Sequence, residues 1–199
     1  MSDQQPPFPP EQPHPGQPGQ PPFGQPGPGY GGMPPTPGAG APAGLLERFV
    51  ARFLDGLILG VAYFVVSLVI GAILPFGRFL STGELFIYNL VLVPLSVALS
   101  LGYYAYLEST QGRTLGKQVM KLQVVGPAGG HPTLEQALRR NAFLALSLAG
   151  IVPIIGQLLG ALAGLAAVIF IAVTINNDTV RRQGWHDTFA GGTQVLKVG

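Results

Sequence analysis

The sequence predicts an all-α membrane protein: a small helical transmembrane bundle with four membrane-entering segments, the alternative being three, behind a disordered N-terminal tail. Three observations predict it. Only 10% of the 199 residues are Asp, Glu, Lys or Arg, against about 25% in an average soluble domain. Three apolar stretches reach the ~20 residues that a helix needs to cross a hydrocarbon core about 30 Å thick. Fifteen of the 20 prolines fall within the first 44 residues.

Residues 1–44 hold those prolines together with ten glycines and six glutamines. Proline removes amide donors, glycine raises chain entropy, and little apolar surface remains to bury. The expectation is a disordered tail with local polyproline II character. Phe8, Phe23 and Tyr30 are spaced along it as candidate contacts for a protein partner. The N-terminus has no basic region and no apolar core, so a cleavable signal peptide is not expected.

The transmembrane domain is expected over 45–199, with helices at about 46–74, 86–107, 134–152 and 154–175. Leu54–Leu74 is the first span, and Pro75 stops it. Phe86–Leu107 is the second, with a kink expected at Pro94. The short link "FGRFLSTGEL" makes these two an antiparallel hairpin. Tyr103, Tyr104 and Tyr106 cluster where the second span leaves the bilayer, which suits interfacial anchoring. In "HPTLEQAL", Thr133 and Gln136 have capping-box spacing. A helix should therefore start at Leu134, pass Arg139 and Arg140, and dip inward until Gly150 and Pro153. Ile154–Ile175 is the last span, and Gly150, Gly156, Gly160 and Gly164 offer small residues for close helix contact.

Ten of the 11 basic residues lie outside the hairpin link, which holds only Arg78. Basic residues collect in cytoplasmic loops. Both termini and the loop at 108–140 are then expected in the cytoplasm of a multi-pass protein of the cell membrane. Three simple crossings cannot bring the C-terminus back, so 134–153 must also enter. The alternative is three crossings with the C-terminus outside.

"RFVARFLDGLIL" places Arg48, Arg52 and Asp55 on one helical face, four and three residues apart. A lone carboxylate at that depth costs about 2.5–3.5 kcal/mol on insertion scales. A neighbouring arginine one turn away is expected to offset it. Ionisable groups inside a span are functional candidates by default.

"RFVARFLDGLIL" also resembles the opening helix of the RDD family of bacterial membrane proteins, through Arg48, Ala51 and Asp55. "QGRTLGKQVMKLQVV" is similar to that family's loop signature at Thr114, Gly116, Lys117 and Val124, and "LRRN" matches at Arg140 and Asn141. The tail "GWHDTFAGGTQVL" resembles the closing signature through His186, Asp187, Ala190, Gly191 and Thr193. It departs in having Gly191 and Gly192 where the family usually has one glycine. The Pro/Gly/Gln-rich prefix is similar to that of actinobacterial proline-rich antigens carrying this domain. The resemblance implies a transport role, with ion–proton exchange proposed for some members.

Other classes are excluded or disfavoured. "GRTLGKQ" has one residue too few between its glycines for a phosphate-binding loop, and Gln118 stands where a Ser or Thr would hold magnesium. His186 and Asp187 lack a third ligand at useful spacing, so neither a metal nor a cofactor is expected. With no cysteine and no nucleophile–base set, the chain is not expected to be an enzyme. A net charge of +2 without a basic stripe speaks against nucleic acid.

Two functions remain. One is a transporter or permeation subunit for an ion or small solute, with Arg48, Arg52, Asp55 and Asp187 as functional candidates and Thr114, Gly116 and Lys117 as a loop motif. Four helices are few for a pathway, so its partners would be the lipid bilayer and further copies of the chain. The other is a membrane-anchored scaffold that recruits proteins through the tail.

Overall fold

Helix α1 (Leu45–Ile73) and helix α2 (Thr82–Gln111) form the first hairpin of the computed structural model, which describes residues 40–73 and 81–199. The tail expected to be disordered lies outside the described residues up to residue 39, as do residues 74–80, Arg78 of the link among them. With 29 and 30 residues, the two helices run about 44 and 45 Å. Helix α2 starts one turn earlier than the apolar pattern suggested. Ser81 accepts from the Glu84 amide, and Glu84 reaches back to the Ser81 amide, a capping box that closes the first turn. The helix then continues through Pro94.

Among the described residues, three helices are long and apolar enough to span a bilayer: α1, α2 and α5 (Ile155–Asn177). Their apolar side chains point outward, with Leu57, Phe64, Leu68 and Val69 more than half exposed. So wide an apolar surface would aggregate in water and is solvated by lipid.

At the end of the bundle where α1 begins, a small extramembrane layer gathers. It contains α3 (Leu115–Val119), strand β1 (Leu122–Val125), α4 (Leu134–Asn141), α6 (Trp185–Phe189) and strand β2 (Gln194–Lys197). β1 and β2 pair antiparallel, with Leu122 opposite Lys197 and Val125 opposite Gln194. The expected tail boundary moves here. Residues 40–43 lie along the free edge of β2: the Ala43 amide donates to Val195 (2.9 Å) and the Gly40 amide to Lys197 (2.7 Å). Ala43, Ala51, Leu122, Val124 and Val195 form a buried apolar core beneath that sheet.

Helix α4 opens with the anticipated Thr133–Gln136 capping box. Its continuation, Ala142–Ile151, is a ten-residue 3₁₀ segment rather than an α-helix. A 3₁₀ rise of about 2.0 Å per residue carries those residues about 20 Å, a third farther than an α-helix would. The segment packs against α2 and α5. A Cβ on Gly156 would stand 2.0 Å from the Ala149 carbonyl, so only glycine admits this approach. Ile154, at the tip between the two, takes φ 64°, a strained value for a β-branched residue.

Arg140 of α4 pairs with Asp187 of α6, and Trp185 donates its amide to Thr174 near the end of α5. The start of the 3₁₀ segment and the last turns of α5 are therefore at the same end of the bundle. Residues 142–154 must carry the chain away before α5 brings it back. This path fits the expectation that 134–153 runs alongside the three candidate spans as a fourth segment.

Candidate functional site

The charged residues of the sequence converge in the layer where α1, α2, α3, α4 and α6 meet. Asp55, Glu108 and Asp187 are fully buried, and Lys117 and Arg140 are nearly so.

Asp55 was expected to lean on an arginine of its own helix. It does not. It accepts from the Tyr103 hydroxyl (2.7 Å), the Thr114 hydroxyl (2.6 Å) and the Gly116 amide (2.7 Å). Three donors in fixed positions hold a carboxylate as well as a guanidinium does, without immobilising a long side chain. Thr114 also caps α3. Gly116 has no room for a side chain, because a Cβ there would stand 2.1 Å from the Ala51 carbonyl. The loop motif is thus the clamp that seats α3 on α1.

The arginines turn elsewhere. Arg48 pairs with Asp187 at 2.9 Å. Arg52 donates to the Asn141 side-chain oxygen at 2.9 Å, and its guanidinium lies 3.7 Å above the centre of the Tyr104 ring. This is cation–π geometry. Tyr103 and Tyr104, expected as interfacial anchors, therefore belong to the buried network. Tyr106, 64% exposed, is left facing outward.

Glu108 is the member that sequence reasoning missed. It forms an ion pair with Lys117, accepts from Asn141 (3.2 Å), and has Arg140 at 3.7 Å. Its signal was a lone acid in the last turn of an apolar span, which reads equally well as the point where the span meets water. Arg140 bridges onward to Asp187 at 3.0 Å. A continuous chain of contacts thus runs from Lys117 through Glu108 and Arg140 to Asp187 and Arg48.

Burial alone would raise the Asp187 carboxyl, but Arg140 and Arg48 outweigh it and bring it down to about 2. The Gly184 amide adds a hydrogen bond at 3.0 Å. Burial pushes the His186 imidazole down to about 3, against the pull of Asp187, so it is neutral at physiological pH. Its ring meets Phe143 edge to face, with centroids 6.4 Å apart. Burial also pushes the Lys117 ammonium below its ordinary range, opposed by Glu108.

Beside this network, between the first turns of α1 and the last turns of α5, lies a cavity of about 490 Å³. Its wall is mostly apolar, and Arg48, Arg52 and His186 also line it.

The model of the RDD family matches residues 42–191, a stretch that holds every member of the network. The uncharacterized protein YxaI of Bacillus subtilis (strain 168) is similar, 29% identical over 126 residues, which cover 58% of this chain and 82% of that one. No solved structure matches.

Proposed function

Since the chain belongs to the RDD family, we propose that this integral membrane protein moves an ion or small solute across the cell membrane. It does so as a non-enzymatic subunit of a homo-oligomer, with both ends of the domain in the cytoplasm. The observation that carries this reading is the burial of Asp55, Glu108 and Asp187 at the end of a lipid-facing bundle. Buried ion pairs return little net stability for their desolvation cost, so a buried charged cluster at the mouth of membrane spans is a candidate for conduction or coupling. The outward apolar faces of α1 and α5 supply surface for further copies. The positive-inside rule supports the orientation, since Arg113, Lys121, Arg139, Arg181 and Arg182 all lie at the network's end.

The experiment is flux through the purified chain in proteoliposomes, against a panel of monovalent and divalent cations with and without a pH gradient. Proton-coupled flux that Asp55→Asn abolishes, in a variant that still elutes as the native species, supports the reading. A wild-type chain that moves none of the cations under either gradient rejects it.

A second reading is favoured by the place where the Pro-rich segment joins the domain. Residues 40–43 are sewn into the sheet at the network's end, so the chain enters the domain there. A scaffold that recruits proteins through this prefix, as its likeness to the proline-rich antigens suggests, would lose its partners on deletion of residues 1–39 while the domain stays folded. An unchanged partner set would dismiss the scaffold.

A further inference from the structure

The cavity between α1 and α5 has an unusual wall. Arg48 and Arg52 each keep a buried Nη2 atom, and His186 its Nδ1, without a hydrogen-bond partner among the described residues. All three residues line this one cavity, whose volume of about 490 Å³ lies within the usual range of ligand sites. Most of the remaining lining is hydrocarbon, including Phe49, Phe143, Val168, Ala172 and Ile175.

The cations of the layer are not equally paired. Arg48, Lys117 and Arg140 each pair with Glu108 or Asp187, whereas Arg52 makes no ion pair among the described residues and donates only to the neutral Asn141 side chain. A guanidinium held this deep without an anion is costly. The matching occupant carries a negative charge at one end and hydrocarbon at the other. The cavity also lies where such a molecule would be found. Its mouth is flanked by Leu46 and Phe49, 73% and 60% exposed, on a helix face turned toward lipid.

We infer that this cavity binds one anionic phospholipid, its phosphate on Arg48 and Arg52 and an acyl chain along Phe49, Val168 and Ala172. Lys and Arg at the cytoplasmic surface attract anionic headgroups in general. Here the apolar cleft adds a fixed seat for the chain, and Arg52 is the cation left over to receive the charge. The bound lipid would join α1 to α5, two helices with few direct contacts of their own.

The test uses the full chain in a neutral detergent, titrated with dioleoylphosphatidylglycerol, dioleoylphosphatidylcholine or inorganic phosphate. Binding is read by native mass spectrometry and by the shift in melting temperature. Phosphatidylglycerol should bind with one saturable site and raise the melting temperature, and the other two should do neither. Arg52→Gln should weaken that binding at least tenfold, while Arg139→Gln, on the exposed face of α4, should leave it unchanged. Ala172→Phe fills the cleft without touching the charged network, and it too should abolish the site, which covers the case in which Arg52→Gln fails to fold. Equal binding of phosphatidylcholine, reproduction of the shift by inorganic phosphate, or undiminished binding by Ala172→Phe would each overturn the inference.

Discussion

Replacing Gly116 with alanine tests whether the loop motif acts as a clamp. A Cβ at that position would lie 2.1 Å from the Ala51 carbonyl oxygen and 2.9 Å from the Asp55 carboxylate. The first is backbone on α1 and cannot rotate away, so α3 has to lift. Lifting stretches the 2.7 Å bond from the Gly116 amide to Asp55 and loosens the Thr114 hydroxyl beside it. Overpacking of this kind costs about 1–3 kcal/mol, and a hydrogen bond to a charged acceptor contributes about 1.5–3 kcal/mol. The two describe one displacement and do not simply add, so the expected loss is about 3 kcal/mol. At about 2–4 °C per kcal/mol for a chain of this size, the melting temperature falls by about 6–12 °C. The assay is thermal unfolding in detergent, with Gly164→Ala as the control because nothing lies within 4 Å of its added Cβ. If Gly116→Ala melts together with Gly164→Ala, the clamp is not what holds α3.

Further outcomes concern the rest of the network. Asp187→Asn leaves Arg48 and Arg140 adjacent without their shared carboxylate. Breaking a buried pair in this way costs about 3–5 kcal/mol, so chemical unfolding in detergent should show it, and a wild-type midpoint would contradict the pairing. His186 makes stability depend on pH. The unfolded chain takes up its proton near 6.5, whereas the folded one holds out to about 3, so stability falls as pH drops through that window. At pH 5 the loss is about 2 kcal/mol, from about 1.5 units at 1.36 kcal/mol each. Asp187, held at about 2, adds its own loss only below about pH 4. His186→Gln should flatten the melting curve between pH 6.5 and 4.5, and an unchanged slope would place the titration elsewhere. Because the chain has no cysteine, Thr82→Cys and Val180→Cys report topology directly. A membrane-impermeant maleimide should reach Thr82→Cys in intact cells and Val180→Cys only after permeabilisation.

The spans were legible because lipid imposes a length and a composition that few soluble sequences meet. The capping box at Thr133 was legible because its chemistry is local. The partners of Asp55 were not. Helical spacing correctly puts Arg48, Arg52 and Asp55 on one face, but it cannot say that Tyr103, Thr114 and Gly116 arrive from elsewhere with donors already aimed. Glu108 was hidden for the same reason, since its cations lie on α3 and α4. Nor can an apolar run such as "AFLALSLAGI" distinguish a 3₁₀ path from an α-helix, because it is apolar at nearly every position and carries no period to read. Only the distance to be covered decides between them.

The edge contact of Pro42 and Ala43 with β2 also fixes an order of events during synthesis. Its two halves lie far apart along the chain, and the ion pair of Glu47 with Lys197 joins the same two regions. Helices α1 to α6 have left the ribosome before Val195 and Leu196 emerge, so α1 waits, unfastened at its entry point, while α2 and α5 insert. Trimming the final strand would release that fastening and leave the span itself untouched.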